Sequence, residues 1–313
     1  MPAGHHRSPT GSAAAAIDCG TNTIKLLITS ATGHELLRQG RMVRLGEGVD
    51  ASGRLSPAAL ARAFSAIEEY AVLIAAHEVG RIRFCATSAT RDADNAAEFA
   101  AGVLACLGVS PEVLSGEEEA ALAFAGSSKH LAVAPEDEVL VVDIGGGSTE
   151  LILGCPGAPA PVAAHSMNIG SVRLHERHAL SDPPTAEQIE AVAADIEAAL
   201  DKCPVDLGAT TTVIGVAGTI TTVAAGVLNL AAYDREAIDS RTLRIADVDA
   251  HVAQLLSLTI AERRDLPWMH PGRADVIGAG ALILSRVLAR TGAVELLVSE
   301  CDILDGIAAS LLA

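Results

Sequence analysis

The densest chemistry in the chain lies in Asp143-Ile144-Gly145-Gly146-Gly147-Ser148-Thr149-Glu150. Three consecutive glycines let a turn bring several backbone N–H groups to bear on one anion. Ser148 and Thr149 can add hydroxyl donors. Asp143, at the end of an apolar run, is placed to hold a hydrated magnesium ion over a phosphate. A plain glycine turn with a capping Asp would look the same locally, but a second copy argues against it. The segment Ala16-Ile17-Asp18-Cys19-Gly20-Thr21-Asn22-Thr23-Ile24-Lys25-Leu26-Leu27-Ile28 aligns with residues 141–153, putting Asp18 on Asp143, Gly20 on Gly145 and Thr23 on Ser148. Two such turns facing across a cleft would clamp adjacent phosphates.

Three further segments could contribute. Gly215-Val216-Ala217-Gly218-Thr219 is a glycine turn between a strand and a helix. An anion there gains from free amides and the helix dipole, although tight strand-to-helix packing explains the glycines equally well. In Ser115-Gly116-Glu117-Glu118-Glu119-Ala120, Ser115 and Glu118 form a capping box. Glu119 is rotated by about 100° from Glu118 around the helix and is free to point elsewhere, as a base for water or as part of a solvated acidic turn. Lys25, Arg91, Arg173 and Arg273 are the basic residues nearest these turns or nearby loops, fit either to screen a phosphate chain or to pair at the surface. His175 and His178 lack a third ligand. No Walker A sequence is present, and no Gly-x-Gly-x-x-Gly follows a strand.

These groups need a scaffold of some size. The 313 residues predict two domains, and the repeats, 125 residues apart, give each domain an opening hairpin. Helical periodicity is expected over 57–76 (capped by Ser56), 95–107, from Gly116, 185–200 (Thr185 and Gln188 as a capping box), 219–228 and 278–288. Strands are expected over 82–87, 112–114, 212–216 and 295–299. Strands alternate with helices, so the class is α/β. With aromatic residues at 2%, the core is built from Ala, Val, Leu and Ile.

The net charge of −17, from 39 acidic and 22 basic residues, excludes a diffuse basic surface for nucleic acid or an anionic membrane. A polyanion could bind only at a focused site. Leu207 to Tyr233 carries no charge, yet its glycines and threonines read as strand, turn and helix rather than a membrane span. The six cysteines occur singly, and Cys19, Cys85 and Cys301 are expected as buried, reduced thiols. Residues 1–12 form a polar tail without an apolar signal segment, and His5–His6 belongs to it.

Taken together, the motifs resemble the exopolyphosphatase/guanosine pentaphosphate phosphohydrolase family. The resemblance runs from about Ala16 onward. It rests on Asp18-Cys-Gly-Thr-Asn-Thr23, Thr87-Ser-Ala-Thr-Arg91, Ser115-Gly-Glu-Glu-Glu-Ala120, Asp143 to Glu150, Gly170-Ser-Val-Arg173 and Arg273-Ala-Asp275, in that order. It implies two actin-like (ribonuclease H-like) ATPase-fold domains, 13–135 and 136–302, with the active site in the cleft between them. The last helix, about 303–313, is expected to return to the first domain.

The resemblance also implies roles. Glu119 activates water. Asp143, with Glu150 and Asp18, holds magnesium or manganese. Gly20, Thr21, Asn22, Thr23, Arg91, Gly145, Gly146, Gly147, Ser148, Gly218 and Thr219 bind phosphate. Lys25, Arg173 and Arg273 meet polyphosphate or a guanosine alarmone.

The expected activity is removal of terminal phosphates from inorganic polyphosphate by a cytoplasmic homodimer. Guanosine tetra- or pentaphosphate is expected as inhibitor or alternative substrate. Longer family members carry further helical domains, so short polyphosphates are the expected substrates here. Hydrolysis of guanosine pentaphosphate, an actin-like sugar or acetate kinase, and a non-catalytic sensor are the rivals. Glu119, in its acidic context, opposes the kinase. Together with Asp143 and Glu150 it also opposes the sensor.

Overall fold

The computed structural model describes residues 12–127 and 131–312, so the tail ahead of Ser12, His5–His6 included, lies outside the described residues. The first sheet contains β1 (Ala14–Cys19), β2 (Thr23–Thr29), β3 (Glu35–Met42), β4 (Arg81–Ala86) and β5 (Glu112–Val113), in the order β3-β2-β1-β4-β5. The second contains β6 (Val139–Ile144), β7 (Thr149–Gly154), β8 (Ala163–Met167), β9 (Val213–Val216), β10 (Thr242–Arg244) and β11 (Glu295–Val298), in the order β10-β11-β9-β6-β7-β8. Each sheet begins with an antiparallel three-strand meander and continues with parallel strands, β4 beside β1 and β9 beside β6. From β8 to β11 the second sheet repeats the order of the first, with β10 added antiparallel at its edge. The chain is therefore a pair of α/β domains of the actin-like type.

Local sequence explains the elements. β1 and β6 are buried at every position, as central strands covered on both faces must be. Ser56 caps the helix Pro57–Ala76 by accepting from the Ala59 N–H at 3.1 Å, with Pro57 in the first turn where its missing N–H costs nothing. With the helix Ala96–Leu107 it encloses a small aromatic core of Tyr70, Phe84 and Phe99. In the second domain, Thr185 and Gln188 form both bonds of the capping box that starts the helix Ala186–Leu200. The uncharged stretch 207–233 contains β9, a turn and the helix Ala217–Val227. Among the described residues no helix is long and apolar enough to cross a membrane. All six cysteines are free; Cys19 and Cys85 are buried, while Cys301 is only half-buried, lying in the loop after β11.

Two helices join the domains. Gly116–Ser127 and Ile303–Ser310 pack closely because each carries a glycine where they touch. A Cβ on Gly126 would lie 2.0 Å from the Asp302 carbonyl oxygen, and one on Gly306 2.0 Å from that of Leu122. Even alanine at either position would cost roughly 1–3 kcal/mol by overpacking. Phe124, Leu304 and Ile307 from this pair lie in one apolar cluster with Ala16, Leu27 and Cys85 of the first sheet and Val141, Ile152 and Ile214 of the second. The cluster sets the distance between the two hairpins.

Candidate active site

The two repeated turns close in the same way. The Gly20 N–H donates to the Thr23 carbonyl and the Gly145 N–H to the Ser148 carbonyl, both at 3.0 Å. These two amides are thus committed to their own turns, contrary to the expectation that every glycine amide would face a phosphate. The turns meet tip to tip. A Cβ on Gly147 would come within 2.5 Å of Thr21 Oγ1 and 2.6 Å of Ser88 Oγ. Gly147 therefore serves the approach of the domains rather than the cleft. Thr149 is spent as well, its hydroxyl donating to the Ile169 carbonyl at 2.8 Å.

Behind the tips lies a cleft of about 90 Å³, open to solvent. The first hairpin lines it with Asp18, Gly20, Thr21, Asn22, Thr23 and Lys25, and the second with Asp143, Gly145, Gly146 and Ser148. Glu119, Gly218, Thr219 and Arg273 complete the residues expected there, and Thr87, Ser88 and Ser171 join them. At its floor Ala217 takes left-handed backbone (φ 65°), which turns β9 sharply into the helix Ala217–Val227. Such a conformation costs a non-glycine residue about 1–2 kcal/mol.

Asp18, Asp143, Glu119 and Glu150 are only 5, 8, 9 and 2% exposed, so four carboxylates are shielded from water together. Burial raises Asp143 from 3.8 to about 8, assisted by the charge of Asp302 and opposed by Lys25. Burial likewise raises Asp18 to about 7 against the pull of Lys25. Glu150 is pushed well above the usual range by burial and by Glu119, while Ser166 Oγ donates to its Oε1 at 2.7 Å.

Glu119 owes its direction to its neighbour. The Ser115 N–H donates to Glu118 Oε2 at 2.9 Å and the Glu118 N–H to Ser115 Oγ at 3.2 Å, closing the capping box on the solvent side. Glu119 is one step further round and faces the cleft. Burial raises its proton affinity, and Arg91 and Thr87 pull it back. Arg91 Nη1 donates to Glu119 Oε2 at 3.0 Å and to the Leu114 carbonyl at 2.8 Å. Arg91 thus sits behind Glu119 and does not line the cleft.

The other cations divide. Lys25 Nζ donates to Asp302 Oδ2 at 2.5 Å and lies 3.8 Å from Asp18. Arg173 lies outside the cleft; its Nε donates to the Gly147 carbonyl at 2.7 Å and its terminal nitrogens pair with Asp50 and Asp92 of the first domain. Contrary to its expected role, it fastens the two domains. Arg273 does reach the cleft, with Nη1 donating to Thr222 Oγ1 at 3.1 Å. Its guanidinium lies on the start of the helix Ala217–Val227, where a Cβ on Gly218 would strike it at 1.9 Å. Burial lowers its pKa. A cation on a helix N-terminus is electrostatically unfavourable unless an anion joins it.

A divalent cation fits the donor set in one particular way. Among the described residues no three His, Cys, Asp or Glu side chains converge into a metal cage, and His178 instead contacts Asp195 at 3.1 Å. Magnesium needs no cage, because it keeps several waters and uses one or two carboxylates plus substrate oxygens. Asp143 and Asp18 supply such carboxylates. The Asn22 Oδ1, buried on the same hairpin without a donor, is suited to accept from a bound water.

Comparison with known proteins gives a consistent result. The model of the Ppx/GppA phosphatase family matches residues 27–312. Exopolyphosphatase 2 of Mycobacterium tuberculosis is 45% identical over 317 residues, covering 95% of this chain and 98% of that protein. A solved exopolyphosphatase-like protein has a TM-score of 0.91 at 43% identity, covering 96% of this chain and 99% of its own. The solved exopolyphosphatase from Cytophaga hutchinsonii has a TM-score of 0.88 at 26% identity, covering 96% and 98%.

Proposed function

The chain belongs to the Ppx/GppA phosphatase family, and from that premise we propose that it is an exopolyphosphatase, removing terminal phosphates from inorganic polyphosphate with Glu119 as general base. The observation that carries this reading is the convergence of Glu119, Asp143 and both glycine turns on one cleft.

Glu119 is prepared for the task. Arg91 fixes one of its oxygens, and burial brings its proton affinity up toward what abstraction from water requires. The terminal phosphoryl group sits among the remaining amides of the two turns, with Ser148 and the start of the helix at Gly218 and Thr219. Lys25 and Arg273 reach the same cleft and neutralise charge on the phosphoryl oxygens and on the shortened chain that leaves. A magnesium ion held by Asp143 and Asp18, with Glu150 behind them, would supply further neutralisation of the phosphoryl oxygens.

Short chains are the preferred substrates on this reading. With −17 net charge and only three lysines, the surface beyond the cleft repels added phosphates.

The test is phosphate release from short polyphosphate, long polyphosphate, guanosine pentaphosphate and ATP, with magnesium and with excess chelator. Magnesium-dependent release, fastest from short polyphosphate, is expected. No release from polyphosphate of any length, alongside release from guanosine pentaphosphate, would overturn the assignment.

A further inference from the structure

Asp302 follows β11 and precedes the helix Ile303–Ser310, and its two carboxylate oxygens have separate duties. Oδ1 accepts the Leu304 N–H at 3.0 Å and so caps the helix, while the Asp302 N–H donates to Asp305 Oδ2 at 2.9 Å. Asp305 is held in turn by Arg38. The Asp302 backbone is pressed on the other side against Gly126 of the helix that carries Glu119. The carboxylate is therefore fixed in place, and its free oxygen, Oδ2, meets Lys25.

Lys25 would otherwise have a different partner. It stands directly opposite Asp18 in the β1–β2 register. A lysine beside Asp18 would neutralise one of the two carboxylates available to a cation. Instead Nζ lies 2.5 Å from Asp302 and 3.8 Å from Asp18. Among the described residues, Asp143 has no ion pair at all. We infer that Asp302 is a positioning residue that draws Lys25 away from Asp18, keeping Asp18 and Asp143 available to a divalent cation and aiming the ammonium at the substrate's phosphates. This inference rests on Asp18 and Asp143 being the cation-holding pair.

The test is magnesium binding to the substrate-free protein, followed by isothermal titration and by the magnesium-dependent rise in Tm. Asp302→Asn keeps a capping oxygen, since Asn and Asp cap equally well, but loses the charge that holds Lys25. It should require about tenfold more magnesium, the scale of one unit charge moving a few ångströms in a partly solvated cleft. Adding Lys25→Met to that variant should restore binding to the wild-type level or tighter, because no ammonium remains to occupy Asp18. A purely structural role for Asp302 would not be rescued this way. Lys25→Met alone leaves the cap intact and should tighten magnesium binding. Wild-type affinity in Asp302→Asn, a defect that persists in the double variant, or weaker binding in Lys25→Met would each overturn the inference. Phosphate release by the wild-type chain is a separate measurement. Its absence would remove the proposed function and leave the magnesium cycle standing.

Discussion

The hairpins β1–β2 and β6–β7 share one backbone design and differ in what stands across from the aspartate. Both turns close on the same glycine amide at the same length, and both present an Asp at the end of the first strand. Opposite Asp18 the register places Lys25, and opposite Asp143 it places Glu150. The first hairpin therefore carries its own cation, which Asp302 takes up, whereas the second sets two carboxyl groups side by side. On the proposed reading the repeated backbone supplies two grips for phosphate, and the residue one strand over sets the charge beside each. The tips differ too. At the position where the first turn has Asn22, the second has Gly147, because only the second is pressed against Thr21 and Ser88.

The largest expected effect spares both hairpins. Glu119→Gln should lower turnover by about 10²–10⁴-fold, the usual contribution of a general base, with Tm nearly unchanged. Near-normal turnover would put the base on one of the hairpins instead. Next, Asp143→Asn should raise the magnesium needed for half-maximal activity by about tenfold, and Asp18→Asn by less, since Lys25, though held by Asp302, still lies 3.8 Å from Asp18 whereas Asp143 has no ion pair among the described residues. Equal shifts in a magnesium titration would erase the distinction between the hairpins.

A pH series sharpens the same point. Asp143 and Asp18 are raised from 3.8 to about 8 and about 7. A raised carboxylate contributes stability that is complete below its unfolded value and is lost as pH climbs through the folded one. Without metal, stability from this pair should decline between about pH 4 and pH 8, and the Tm gain on adding magnesium should grow across that window. Asp143→Asn should flatten the gain; a gain independent of pH in the wild type would count against a cation at these carboxylates.

Smaller still, Gly147→Ala should cost roughly 1–3 kcal/mol in denaturant unfolding, through the clash with Thr21 and Ser88. Asn22→Ala should cost less, since its buried Oδ1 has no donor to lose. Comparable losses would mean the two tips are packed alike. Least of all, Glu118→Gln should leave turnover within about twofold, because its carboxylate is occupied with Ser115 outside the cleft.

What could be read in the sequence was what local spacing determines. The paired hairpins followed from matching Asp18-x-Gly20 to Asp143-x-Gly145, and the direction of Glu119 from its place one residue past a capping glutamate. Partners brought together from distant elements left no such trace. Arg91 and Arg173 were expected on phosphate, but Glu119 holds the first and Asp50 with Asp92 the second. Asp302 was missed because Lys25 lies 277 residues away in sequence. An Asp-x-x-Asp pattern after the last strand could have revealed its capping role, though not its ion pair. β3 went unrecognised for a different reason. As an edge strand it is half-buried or exposed at every position, so Glu35–Met42 lacks a clean apolar alternation.

The helix Ile303–Ser310 also orders events during synthesis. Leu304, Ile307 and Ala308 cover Ala16, Leu27 and Cys85, so the N-terminal sheet keeps an apolar face open until residues 303–308 leave the ribosome. At about 5–20 residues per second, that face waits roughly 15–55 s after β2 has been made. The second sheet shares the same cluster through Val141, Ile152 and Ile214, but β11 completes it only a few residues before that helix is made. The domain translated first is thus the one that waits longest to finish folding, and until then its open face is the surface on which a chaperone, or a second nascent chain, would find a hold.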